Sequence, residues 1–269
     1  MRPSFRFLPS LAFLAVLLPA LPAAALDGLS PGEEAAVAAV VDGDTVVLDR
    51  EFAGASQVRL TGIQAPKLPL GRPGFKEWPL ARESKAALEA IVLNQPVRLF
   101  YDGARMDRHG RLLAHLMARE GAWIQGELLL RGMARVYTFP DNRGKAADMY
   151  RLEGQARAAR RGIWGDPFYA IRRADPETLT ADIDTFQLVE GDVVDAADVR
   201  GVIYLNFGAN WRTDFTIRID RKVARLFRRE GLGPERYTGR RVRVRGWLKD
   251  WNGPMIEVSH PEQIEVLEK

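Results

Sequence analysis

"VAAVVDGDTVVL", residues Val37–Leu48, is two β-branched runs separated by Asp42-Gly43-Asp44. β-Branched side chains suit the pleated backbone, and Asp-Gly supplies a tight turn between antiparallel strands. The stretch therefore reads as a hairpin. Working outward, Gln57–Ile63 alternates as a further strand, and Val97–Tyr101 and Leu112–Met117 are strand-like on either side of "DGARMDRHGR". Three helical patterns interrupt or close this series. Pro79 opens one in which Ser84, Leu88 and Ile91 share a face and which ends near Asn94. Trp123–Leu130 is a short second helix with Gly132 as its stop. Arg143–Arg161 is a basic third helix with Met149, Leu152, Ala156 and Ala159 turned inward. A strand-rich part closed by helices predicts a mainly β fold with packing helices (α+β), built on a small, partly open barrel.

The 269 residues allow one or two domains with a sizeable core. Residues 1–25 are set apart by Arg2 and Arg6, the apolar run Leu11–Leu18 and Ala23-Ala24-Ala25, which together predict a secretory signal cleaved after Ala25. The apolar run is short for a membrane span of about 20 residues. The expected product is exported, periplasmic or extracellular, with no integral span once the leader is removed. The absence of cysteine excludes a lipid-anchored cysteine and leaves the exported fold to its core rather than to disulfides. Residues 36–166 form the first expected domain. Residues 167–182, with Pro167 and Pro176, read as a linker, and 183–269 as a second strand-rich unit.

Charge is informative only locally. Without Arg2 and Arg6 the chain carries 37 basic and 35 acidic residues, a net +2. Between Arg218 and Arg245, however, 11 Lys/Arg face 3 Asp/Glu. Such a field favours polyanions, with a solvated basic face as the alternative. Within it, Arg241–Leu248 alternates strictly: Val242, Val244 and Leu248 point one way and Arg241, Arg243 and Arg245 the other. That arginine face is the candidate nucleic-acid-binding surface of the second unit.

The motifs "VVDGDTVVL", "RLTGIQAP", "DRHGRLLAHL", "GMARVY" and "RRGIWG" occur in one order between Val40 and Trp164. Together they resemble the staphylococcal nuclease (thermonuclease) family over about half the chain. The resemblance implies a five-stranded OB-type barrel with three helices and calcium-assisted hydrolysis of DNA and RNA. The second unit, through "RVRVRGWLKDWNGPMIEVSHPEQIEVL", looks like another OB-fold, a second small β-barrel. Calcium would polarise the phosphate, a carboxylate would activate water, and two guanidiniums would bracket the phosphate.

By that resemblance Asp44 is the first metal ligand, and Arg59 and Arg111 are the phosphate and transition-state contacts. The Ala65 carbonyl completes part of the metal site. Two carboxylates the family uses are missing. Gln64 stands where a second metal-binding aspartate is expected, and Lys67 where the glutamate that works on water is expected. At about 6 Å and an effective dielectric near 20, a lysine repels a metal's unit charge by roughly 3 kcal/mol, on the order of a hundredfold in binding.

Calcium is thus a candidate cofactor with feeble expected affinity. The reading favoured is an exported protein that binds nucleic acid or other phosphodiesters, with hydrolysis weakened or lost through Gln64 and Lys67. One alternative is an active calcium-dependent endonuclease whose acid comes from Glu77, Asp42 or Asp107. Another is an envelope module that binds protein or glycan. Tyr137, Phe139, Trp211, Trp247 and Trp251 are candidates to stack bases or to pack the barrels.

Overall fold

The computed structural model describes residues 26–267, so the leader expected over 1–25 lies outside the described residues. The hairpin forms where the β-branched runs predict it. Strands β1 (Ser30–Asp42) and β2 (Thr45–Phe52) pair antiparallel, with Asp42 opposite Thr45. The turn leaves no room for a side chain at Gly43, where a Cβ would stand 2.0 Å from Ser84 Oγ and 2.7 Å from the Ala65 methyl. Strand β3 (Ala55–Leu60) follows β2, and the chain turns at Gly62 into the two-residue β4 (Ile63–Gln64). Gly62 has a φ of 80° and lies against Met149, so both its conformation and its surroundings require glycine.

Strands β5 (Pro96–Tyr101) and β6 (Leu112–Ala118) complete a closed barrel in the order β1-β2-β3-β6-β5. Its one parallel contact, Val58 against Leu112 in β3 and β6, is possible because helix α1 (Ala81–Val92) and β5 intervene in the chain. The inward residues Val37, Val46, Val58, Leu60, Leu99 and Leu116 are fully buried. Burial of such side chains is worth about 1.5–3 kcal/mol each. Helices α2 (Ile124–Leu130) and α3 (Ala146–Ala158) pack below, joined by the short strand β7 (Arg135–Val136), which pairs with β4. The third helix is shorter than the basic stretch predicts: Arg160, at a φ of 51°, has left the helix.

The 167–182 stretch is ordered. It holds β8 (Arg172–Arg173) and α4 (Pro176–Leu179), whose Asp175 cap accepts from the Glu177 amide, and it buries Leu179 in the second core. The second unit continues with β9 (Phe186–Asp192), β10 (Asp195–Val199), β11 (Val202–Asn206) and β12 (Thr216–Ile219). Helix α5 (Arg221–Arg229) follows, capped by Asp220, and then β13 (Arg241–Asp250), β14 (Pro254–Val258) and β15 (Ile264–Val266). Where a second small barrel was expected, these strands form one eight-stranded sheet in the order β10-β11-β12-β14-β13-β9-β8, with β15 beside β13. Val242, Val244 and Leu248 face its core as their alternation predicts.

The opposite face of β13 corrects the expectation of an open arginine surface. Arg245 is 1% exposed and reaches into the first domain. Its Nη1 lies 3.0 Å from Glu153 Oε2 of α3, its Nη2 lies 2.7 Å from Glu265 Oε1, and it donates to the Val136 carbonyl. Arg243 is bound to Glu190 and Glu265, and Arg241 lies near Glu190 and Asp192. Alternation predicts which residues share a face; it did not reveal that acids of three other elements pair with its arginines, burying Arg245 and most of Arg243 while Arg241 stays exposed. Among the described residues no helix is long and apolar enough to cross a membrane.

Candidate functional site

The turn after β1 and the segment after β4 meet at one end of the barrel, 21 residues apart in sequence but in hydrogen-bond contact. The Ala65 amide donates to Asp44 Oδ2 at 2.7 Å. This contact and the tight Gly43 turn place Asp44 at full burial, a position that an aspartate holds only when its charge is compensated.

Arg59 and Lys67 supply that compensation. Lys67 makes the closer contacts. Its Nζ lies 2.6 Å from Asp44 Oδ2 and 2.8 Å from Oδ1, and 3.4 Å from Asp42 Oδ2. The Arg59 guanidinium approaches Asp44 Oδ2 at 3.3 Å, and Thr45 Oγ1 donates to Oδ1 at 3.3 Å. A carboxylate offers about four lone-pair directions, and the donors gathered on Asp44 occupy them. Burial alone would raise the Asp44 carboxyl, but Arg59 and Lys67, with the Ala65 amide, outweigh it and hold the group well below the ordinary carboxylate range. Asp42 moves the opposite way. Burial and the neighbouring Asp44 charge push its carboxyl up, only partly offset by Lys67.

The residue at the second expected carboxylate position is engaged as well. Gln64 Oε1 accepts from Arg135 Nε at 2.9 Å and from Nη2 at 2.7 Å, both buried. Arg135 sits among Trp78, Tyr169 and Phe186, with its guanidinium carbon 4.6 Å from the Phe186 ring centre. The sequence reading missed Arg135 as a site residue. Its only signal is its place within "GMARVY", because the partner lies 71 residues away.

The phosphate contacts expected of Arg59 and Arg111 are committed internally. Arg59 donates to the Leu60 and Ile63 carbonyls at 2.5 and 2.6 Å and has a side chain 12% exposed. Arg111 pairs with Asp107 at 2.6 Å, four residues before it in the same loop. Asp107 also accepts from the His109 and Arg111 amides, so both Asp107 and His109 shape the turn. Glu77, a candidate substitute acid, is paired with Arg82 on the surface. The cleft thus sets two carboxylates, Asp42 and Asp44, against three cations, Arg59, Lys67 and Arg135. Each of these cations is already engaged by a group of the chain itself.

A divalent cation does not fit this arrangement. The ligand oxygens of Asp44 face an ammonium, Gln64 gives its oxygen to Arg135, and two fixed cations stand where a metal would need anions. Among the described residues no group of three His, Cys, Asp or Glu is placed to hold a metal ion.

Comparison with known proteins agrees with the barrel. A family model described as staphylococcal nuclease homologue matches residues 57–166. The chain is 29% identical over 142 residues to a thermonuclease of Staphylococcus hyicus, an alignment covering 52% of this chain and 81% of that protein. It is 34% identical over 185 residues to the protein ParB of Escherichia coli, covering 62% and 88% respectively. An endonuclease of Bacillus subtilis, YncB, is 29% identical over 136 residues, covering 49% and 62%.

Proposed function

Because this chain belongs to the staphylococcal nuclease homologue family, we propose that it is an exported nucleic-acid-binding member that has exchanged calcium-dependent hydrolysis for an internal ion pair. The observation that carries the reading is the contact of Lys67 Nζ with both oxygens of Asp44, at 2.8 and 2.6 Å. Family chemistry asks this carboxylate to hold a cation that in turn polarises phosphate. Here the cation is an ammonium, which neutralises the carboxylate but has no open coordination position for a phosphate oxygen or a water. Nucleic-acid binding is supported by kinship with thermonucleases and by the exposed cations Lys222, Arg225 and Arg229 within the basic run Arg218–Arg245. Export is supported by the leader pattern of residues 1–25.

The test is a calcium titration of the full mature chain on single-stranded and duplex DNA. The natural sequence is expected to show no calcium-stimulated cleavage and no calcium binding by calorimetry. The double change Gln64→Asp with Lys67→Glu is expected to gain calcium binding by at least tenfold. Arg135 limits that gain, because it is placed to pair with the new carboxylate at position 64. Robust calcium-dependent digestion by the natural sequence at catalytic concentrations would overturn the reading in favour of an active endonuclease. Failure to bind any nucleic acid at low salt would favour a protein- or glycan-binding module.

A further inference from the structure

The cations of the cleft are committed to partners within the chain, which leaves open where a polyanion would bind, and the second unit supplies a different place. Helix α5 turns Ala224 and Phe227 into the core. Its remaining cations divide between two sides. Arg221 donates to the Arg200 carbonyl, and Arg228 pairs with Asp198. Lys222, Arg225 and Arg229 are exposed and make no ion pair among the described residues. Spaced at i, i+3 and i+7, they form one stripe spanning about 10 Å of helix. Like charges at this spacing weaken a helix, so the stripe has a cost that the fold does not relieve with acids. Glu230, the nearest acid in sequence, is held by Arg143.

These three cations line a groove of about 610 Å³ whose other wall is Pro140, with Ser259 at its edge and Val223 and Leu226 on its floor. No carboxylate lines it. Ser259 also borders a second recess of about 190 Å³, whose wall continues from Pro140 to Phe139. That recess carries the rings of Phe139, 45% exposed, and Trp247, 48% exposed. Trp247 belongs to the appended sheet and is joined to the first domain by its indole N–H, 3.4 Å from the Tyr137 hydroxyl. Exposed cations and exposed aromatic faces thus line two recesses that adjoin at Ser259, the aromatic one also bordered by Lys249 and by Glu257, which Arg218 pairs at 3.2 Å.

We propose that these adjoining recesses form a track for single-stranded nucleic acid, with Lys222, Arg225 and Arg229 on successive phosphates and Trp247 and Phe139 stacking an unpaired base. The proposal rests on the nucleic-acid reading above and locates it. Charge complementarity selects a polyanion. The adjoining rings select one with free base faces, because stacking of this kind requires unstacked bases. A concave floor fits a strand better than it fits a bilayer surface, to which an interfacial helix must offer a projecting apolar face.

The experiment follows binding of a fluorescein-labelled dT20 to the full mature chain by anisotropy across a salt series. The triple change Lys222→Gln, Arg225→Gln, Arg229→Gln is expected to weaken binding more than tenfold at low salt. It should also reduce the slope of log K against log salt by about 2, the value for three phosphates on a single strand. Trp247→Ala is expected to weaken binding at least fivefold and leave the slope unchanged, since stacking releases no counterions. Thermal melting of each variant checks that the fold is retained. If the natural sequence binds dT20 and the triple variant matches it in affinity and slope, the track is wrong while the nucleic-acid reading stands. If the natural sequence does not bind dT20 at low salt, the nucleic-acid reading itself fails. Binding of phosphatidylglycerol vesicles that the triple change abolishes, with dT20 binding unaltered, would reassign the groove to a lipid surface and overturn the proposal.

Discussion

An ammonium group can neutralise a buried carboxylate, and Lys67 does this at Asp44. The pair joins a fully buried oxygen acid to a lysine whose side chain is 20% exposed. Lys67→Met leaves Asp44 with Arg59, the Thr45 hydroxyl and the Ala65 amide. It is expected to destabilise the fold by about 2–3 kcal/mol, toward the low end for a broken buried pair because solvent reaches one partner. Adding Asp44→Asn should recover most of that loss, and urea unfolding of the single and double variants measures both. The acid response has a defined sign. Asp44 titrates below its unfolded value of 3.8, so its contribution is complete above that pH and is lost as the pH falls further. Asp42, raised by burial and by Asp44, works against it. Lysine at position 67 was legible in the sequence, as was its conflict with a metal. Its seat on Asp44 was not, because that depends on a loop closing over 23 residues. Gln64 was legible only as an absence; its engagement by Arg135 is a long-range contact that spacing cannot disclose.

Elements of this chain were easier to read than their neighbours. The hairpin follows from its β-branched runs around Asp-Gly, and β3 and the inward residues of β13 follow from period-two alternation, because each has one face in a core. Alternation treats the other face as solvent by default. For β13 that default fails, since a second domain covers the face, and Arg245 appeared outward while lying deeply buried. The segment after β14 shows the same seam. His260 Nε2 lies 2.7 Å from Thr138 Oγ1, and Nδ1 lies 2.9 Å from Ser259 Oγ. Burial, reinforced by Arg143, pulls this imidazole down to about 4 from 6.5. His115, buried near Lys145, falls to about 3. The unfolded chain takes up protons below pH 6.5 where the folded chain does not, so stability declines as pH drops from 6.5 toward 4. His260→Gln removes one of these two uptake sites. Its stability should therefore fall less between pH 7 and pH 5 than that of the natural sequence, as read by urea unfolding at the two values.

At the scale of the molecule, the two units are held together by charge as well as by rings. Arg245 is paired with Glu153 of α3 and Glu265 of β15, and burial on that guanidinium is outweighed mainly by Glu153, which raises it above an ordinary arginine. Tyr137 packs on Phe186 at 4.8 Å between ring centres, and Arg143 bridges Glu230 and Glu262. Arg245→Met strands Glu153 with Arg157 and the Val136 amide, and is expected to cost about 3–5 kcal/mol. The loss should fall on the junction, so unfolding should broaden toward two transitions and proteolysis should quicken between residues 167 and 185. A single sharp transition with unchanged cleavage would show that the rings alone hold the units. No local pattern announces such a junction, since its members come from residues 136 to 265.

The lysine at the cleft has a consequence for how the protein meets its surroundings. A dissolved ion occupies a site according to how much of it is present, whereas a side chain tethered a few bonds from its partner faces it at a fixed, high effective concentration. If Lys67 stands in for the metal as proposed, the Asp44 carboxylate is satisfied equally in calcium-rich and calcium-depleted fluid, and a chelator leaves the stability of the fold unchanged. On that reading the fold keeps one electrostatic state across conditions in which a metal-dependent relative would switch between loaded and empty.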